Sequence, residues 1–449
     1  MKQEPFFKDP HTSKVKVAVT DIDGILRGKY ISKDKFLSAK EKGFGFCSVV
    51  MGWDCQDVCY DNISYTGWHT GYPDALAKID LDTMREIPWE NKTPFFLADF
   101  VDDKNQGLAS CSRSLLKKTL LDLEKLGFCA LSGFEFEWFN FTETAHSLFE
   151  KNYQNPKPIS PGMFGYSLIR SSERSAYFHD LMDMLAAFKV PLEGLHTETG
   201  PGVYEAAIAC APPLMAADRG VLFKAAVKEI ANKHGILPTF MARWNKDLPG
   251  SSGHIHQSLL HLDSQKNAFY DEKAPHQMSE TFCHYVAGIL KLLPSLLPLF
   301  APTVNSYKRL VEGFWAPTRA NWGVDNRTAA LRVIEGSHSS TRLEVRVGGA
   351  DLNPYLALSA CLAAGAYGIR EKLPLNTDPI KGNAYESLAG EKLPSTLEEA
   401  SLKMKEDKLA GEILGEDFVD HFVNTRLWEW RQHKEAVTDW ELKRYFEII

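Results

Sequence analysis

Three stretches of this 449-residue chain set ionisable side chains at alternate positions: Glu135-Phe136-Glu137, His254-Ile255-His256 and Arg342-Leu343-Glu344-Val345-Arg346. In a β-strand, residues i and i+2 point to the same face. Each stretch therefore presents two or three polar groups together, while Phe136, Ile255, Leu343 and Val345 face an apolar layer. An E-x-E or H-x-H alone is most often a solvated face. Here Phe134, Phe136, Trp138 and Phe139 surround the two carboxylates, and a carboxylate held among apolar groups needs a cation. The pattern predicts a sheet with a wet, charged inner face, balanced by metals, arginines or both.

The rest of the chain supplies a frame for such a sheet. Its length predicts two domains with one large core. Lys and Val alternate over residues 15–19 before Asp21-Ile22-Asp23-Gly24, and a second strand resumes over 26–31, so residues 15–105 read as a small strand-rich domain. We place domain boundaries at 1–106 and 107–449, with 103–107 as the linker. Helical apolar spacing is read over 115–126, and further helices over 172–188, 218–234, 279–293 and 354–371, the last opened by Asn353-Pro354. Strands carrying the polar pairs lie between them, which predicts an α+β catalytic domain with a mostly antiparallel sheet.

Composition narrows the partners. A net charge of -7 with scattered lysines gives no basic field for nucleic acid. Eight cysteines in mostly apolar surroundings read as reduced thiols of a cytoplasmic protein, and Cys55 and Cys59 lack the second Cys or His pair of a zinc site. Charge and proline occupy the N-terminus where a signal peptide needs an apolar run. The most apolar segment, 285–304, carries Lys291, Pro294, Pro298 and Pro302, which argues for a buried helix and loop rather than a membrane span.

Seven motifs in order now carry a resemblance: 133–137 (G-F-E-F-E), 198–205 with an internal P-G, 253–258 (G-H-I-H-Q-S), 305–310 (N-S-Y-K-R-L), 326–332 (N-R-T-A-A-L-R), 342–346 (R-L-E-V-R) and 353–355 (N-P-Y). From about residue 112 onward the chain resembles the glutamine synthetase superfamily. The resemblance implies a small β-grasp-like N-terminal domain and a catalytic domain whose curved antiparallel sheet forms part of a barrel. It implies two or more Mg²⁺ or Mn²⁺ ions, with ATP as co-substrate. Glu137, Glu198 and Glu205 would hold the ion nearer the amino acid, and Glu135, His254 and Glu344 the ion at the ATP phosphates. Arg309, Arg346 and Gly250 fall where glutamate binds, Arg327 and Arg332 face the phosphates, and His256, Ser258 and Arg342 lie beside the nucleotide. A homo-oligomer, a dodecamer with sites between subunits, is also implied.

Two departures from the ammonia-using enzymes shape the functional expectation. Their G-Y-E-A-P loop reads Gly313-Phe314-Trp315-Ala316-Pro317 here, so Trp315 stands where a glutamate would close the site and help deprotonate ammonium. An indole cannot take a proton, but it can pack on an alkyl or aromatic amine or cover a cation. The loop that supplies an aspartate and serines across a subunit interface is matched only by Trp53-Asp54-Cys55-Gln56-Asp57, which keeps Asp54 and loses the serines. Tyr385 has the wrong flanks for the tyrosine adenylylated in some bacterial relatives. The expected activity is ligation of glutamate to an organic amine through a γ-glutamyl phosphate. The alternatives are an ammonium-using glutamine synthetase and a catalytically silent structural member.

Overall fold

The computed structural model describes Phe7 and residues 12–449. Its first sheet starts from a hairpin of β1 (Lys14–Thr20) and β2 (Leu26–Ser32). The turn between them is held by Asp21 Oδ1, which accepts from the backbone N–H of Asp23 at 3.0 Å and of Ile25 at 2.8 Å. With β3 (Phe44–Cys47), β4 (Asp74–Ile87) and β5 (Thr93–Val101), the strand order is β2-β1-β5-β4-β3, and β1 runs parallel to β5. Helix Lys33–Lys42, capped by the Ser32 side chain, buries Phe36 and Ala39 and completes a β-grasp-like unit. Ala18, Ile87, Phe95 and Leu97 instead join the main core.

The segment read as a linker is a tight turn. Asp102 Oδ1 accepts from the backbone N–H of Lys104 at 2.9 Å and of Gln106 at 2.8 Å, and Val101 bridges Gly107.

The second sheet contains β6 (Phe128–Phe141), β7 (Leu192–Thr197), β8 (Val203–Ile208), β9 (Leu237–Thr239) and β10 (Gly253–His261). It continues through β12 (Trp322–Val324), β13 (Leu331–Ile334) and β14 (Arg342–Val345), while the short β11 (Arg319–Ala320) pairs elsewhere. The order is β12-β13-β14-β10-β6-β8-β7, with β9 also on β6 and β12–β13 the one parallel pair named among these strands. Phe134, Phe136 and Trp138 point away from the ionisable face and pack on helix Pro213–Lys233, where Phe223 lies 6.0 Å from Phe136 and 5.5 Å from Trp138, centroid to centroid. The overall class is α+β with a curled, mostly antiparallel sheet.

Helix boundaries show where local patterning was insufficient. The helix read at 172–188 is two helices, Leu168–Glu173 and Ser175–Ala187, divided at Arg174. The one read from 218 begins at Pro213, with proline in its first turn. Helix Glu280–Leu296 runs through Pro294, so that proline does not end it. Together with the turn Leu297–Leu299 it is long and apolar enough to cross a membrane by composition, but 78% of its most apolar window is buried inside the fold. Helix Ser112–Lys125 and helix Pro354–Arg370, capped by Asn353, lie close to their expected limits. All eight cysteines are unpaired.

Beneath helix Ser112–Lys125, Arg113 joins both halves of the chain. Its Nε lies 2.8 Å from Asp218, its Nη1 2.9 Å from Asp99 and its Nη2 2.8 Å from Asp80, and Asp218 also accepts from the Tyr355 hydroxyl at 2.6 Å. Arg113→Ala is expected to lower the unfolding free energy by about 3–5 kcal/mol, because it strands buried carboxylates. Urea unfolding of native and variant protein measures this directly.

Candidate active site

Strand register assembles the ionisable face. Glu135 lies opposite His254 across β6–β10, His256 opposite Glu344 across β10–β14, Glu344 opposite Arg332 across β13–β14, and Glu137 opposite Glu205 across β6–β8. Residues facing one another on adjacent strands share a face, so seven side chains from five strands converge. All of them but His256 line a cavity of ≈ 460 Å³.

Within it, Glu135, His254 and Glu344 form one group and Glu137, Glu198 and Glu205 another, with the donor atoms of each group within 4.8 Å of one another. Two oxygens bound at about 2.0–2.5 Å to one small divalent ion stand at most about 4–5 Å apart, so both groups fit such an ion. Five carboxylates and one imidazole are a hard donor set, suited to Mg²⁺ or Mn²⁺. The chain's own electrostatics agree: burial, then the like charges of Glu137, Glu135 and Glu198, pushes the Glu205 carboxyl far above the usual carboxylate range, and a bound cation relieves that repulsion.

The two groups are wired differently. Glu344, 1% exposed, accepts from Arg332 Nη1 at 2.8 Å and from Arg346, and His254 Nδ1 lies 3.4 Å away. Burial alone would raise its pKa, but His254 and Arg346 pull it down to about 2. Glu135 is held low in the same way, against its burial, by His254 and His256. Glu137 accepts from the Ser252 backbone N–H at 2.5 Å.

The remaining expected residues divide into three sets. Gly250, Trp315, Arg327, Arg332 and Arg346 line the cavity. Arg309 does not. It is buried behind Gly250, donating to Val347 O and Ser252 Oγ, both at 3.1 Å, and a Cβ at Gly250 would meet its Cγ at 2.8 Å. His256, Ser258 and Arg342 sit beyond the cavity rim on the same sheet, where Arg342 Nε donates to His256 Nδ1 at 3.2 Å and Ser258 Oγ to Thr341 O at 2.8 Å. Asp54 stays outside the cavity of its own chain, its Oδ1 accepting from the backbone N–H of Gln56 at 2.9 Å and of Val58 at 2.8 Å.

Trp315 is 58% exposed and adopts a left-handed backbone, φ 60°, which is rare for a bulky residue and concentrates at functional sites. It also lines a neighbouring cavity of ≈ 610 Å³ with Arg327 and Asn326.

Sequence reasoning missed Tyr166 and His196, whose rings stack at 4.4 Å on the cavity wall, with His196 Nε2 3.7 Å from Glu205. His196 stands two residues before Glu198, so alternation could have found it. Tyr166 lies in a loop far from every motif and carried no signal.

Residues 109–445 match the family model described as glutamine synthetase, catalytic domain. The chain is 54% identical to type-1 glutamine synthetase 2 of Dictyostelium discoideum, over 97% of this chain and 84% of that protein. It is 35% identical to glutamate–isopropylamine ligase of a Pseudomonas species, over 100% of this chain and 98% of that one. The solved structure of apo GmaS superposes with a TM-score of 0.85 over 97% of each chain at 24% identity, a likeness of fold. With the paired acidic groups on a curled sheet and this extent of similarity, the chain belongs to the glutamine synthetase family.

Proposed function

We propose that this protein joins the γ-carboxylate of glutamate to a small organic amine, with ATP as the phosphoryl donor. The γ-phosphoryl group passes to a glutamate carboxylate oxygen, releasing ADP. The amine nitrogen then attacks the acyl carbon, and phosphate leaves as the nitrogen loses a proton. When bound, divalent ions held by the two acidic groups would act as Lewis acids that offset the negative charge developing in the transfer. Glu135, His254 and Glu344 are assigned to the ion at the nucleotide, and Glu137, Glu198 and Glu205 to the ion near glutamate.

The chain's fixed cations fit around these groups. Arg327 and Arg332 are assigned to the transferred phosphoryl, and Arg332 is oriented for it by Glu344 and by Asp325, which accepts from its Nε at 2.9 Å. Arg346 and Gly250 are assigned to glutamate, with Arg309 supporting them from behind. His256, Ser258 and Arg342 are assigned to ATP. Because its own turn keeps Asp54 outside the cavity, we assign it to the site of a neighbouring subunit in a homo-oligomeric ring.

One observation carries the choice of acceptor: Trp315 lines the cavity that holds both acidic groups, on a 313–317 loop with no carboxylate. That loop therefore offers ammonium no base, whereas an apolar amine gains contact with the indole. The ammonium-using reading is favoured by the 54% identity to a protein named as a glutamine synthetase. Steady-state phosphate release with glutamate and ATP, compared for ammonium, isopropylamine, ethanolamine and a diamine, separates the two. An organic amine is expected to give the highest kcat/KM. Ammonium turnover at least as efficient as every amine overturns the proposal.

A further inference from the structure

Away from the acidic groups, a cavity of ≈ 720 Å³ opens between the β1–β2 hairpin and helix Pro213–Lys233. Its wall is mostly apolar, with Leu26, Phe95, Phe188 and Phe240 among its members, and its volume lies in the range of small-molecule sites. Lys224 and Lys228, one helical turn apart, both line it.

Neither cation is held in an ion pair, although Asp351, Asp23 and Asp21 attract Lys224 at longer range. Lys224 Nζ donates to Leu352 O at 3.0 Å and stands 5.7 and 5.8 Å from the ring centroids of Phe136 and Phe240. Lys228 Nζ stands 6.0 Å from the Phe240 ring. Among the described residues no carboxylate oxygen comes within 4.0 Å of either. The other cations on the wall are already paired, Lys16 with Glu90 at 2.9 Å and Arg426 with Asp23 at 2.7 Å. Like charges at i and i+4 disfavour a helix, and burial, followed by the charge of Lys228, pulls Lys224 down to about 7. Both penalties fall when an anion enters between the two ammonium groups.

We propose that this cavity binds a small organic carboxylate carried on an apolar chain or ring, its carboxylate between Lys224 and Lys228 and its body against Leu26, Phe95, Phe188 and Phe240. A bare phosphate fits less well. Asp23, Asp351, Glu229 and Glu429 also line the wall and repel a dianion, and Arg426, which would supply a guanidinium fork, is committed to Asp23.

Isothermal titration of the full-length assembled enzyme with sodium octanoate, 1-octanol and inorganic phosphate tests this. Octanoate is expected to bind at least about tenfold more tightly than 1-octanol, as a charge-assisted contact requires, and phosphate to bind more weakly than octanoate. Lys228→Gln, at the more open end of the pair, is expected to weaken octanoate binding by about tenfold without changing ligase activity. Lys224→Gln is expected to weaken it at least as much. Absence of octanoate binding, equal binding of octanol, equal binding of phosphate, or native affinity in Lys228→Gln would each overturn the proposal.

Discussion

Glu344→Gln is expected to reduce glutamate-dependent phosphate release by about 1,000-fold or more. The substitution keeps the shape of the side chain but removes a charge that organises three partners, Arg332, Arg346 and His254. Losing about 4 kcal/mol of transition-state stabilisation, an ordinary amount for a metal-assisted step, gives this factor. Stability should fall as well, by about 3–5 kcal/mol, since the buried Arg346 and the half-buried Arg332 lose their shared acceptor. The sign with pH follows from the depressed carboxyl: Glu344 contributes fully above its ordinary value of 4.5 and loses that contribution as pH falls toward about 2. Glu335→Gln, on an exposed residue paired with His276, is the control and should be near neutral. Activity above about a tenth of native in Glu344→Gln would remove Glu344 from the catalytic machinery.

Trp315→Glu is expected to raise the ratio of kcat/KM for ammonium to that for the best organic amine by about 10–200-fold. Two effects add. A carboxylate on the cavity wall can accept a proton from the attacking nitrogen, and loss of the indole removes about 1–3 kcal/mol of apolar contact with an alkyl acceptor. Trp315→Ala separates them, because it removes contact without supplying a base. It should loosen selection among bulky amines and leave ammonium use low. If both variants keep the native order of acceptors, Trp315 does not face the amine and the proposed acceptor pocket lies elsewhere.

Alternation of charged and aromatic residues makes the heart of this site legible in the sequence, because a strand obeys one geometric rule over its whole length. Glu135, Glu137, His254 and Glu344 follow from that rule alone, and the family order adds Glu198 and Glu205. Three other features depend on tertiary placement that no local pattern encodes. Arg309 belongs to a motif but lies behind Gly250 rather than in the cavity. Tyr166 reaches the wall only because its loop folds back to stack on His196. The break at Arg174 is invisible to periodicity, since residues 170–175 (R-S-S-E-R-S) carry no apolar side chain whose spacing could mark it. Pro294 shows the opposite limit: the residue expected to end a helix is tolerated inside its final turn.

The pairing of β6 with β8 and β10 also decides which kinds of change this chain can survive. Adding or deleting one residue in β6 would swing Phe134, Phe136 and Trp138 into the cavity and drive Glu135 and Glu137 into the core. Insertions and deletions in these strands are therefore excluded twice over, by solubility and by chemistry, whatever substitutions the individual positions accept. The connecting loops carry no such double constraint. Side chains in segments such as 313–317 are free to change while the sheet keeps its frame.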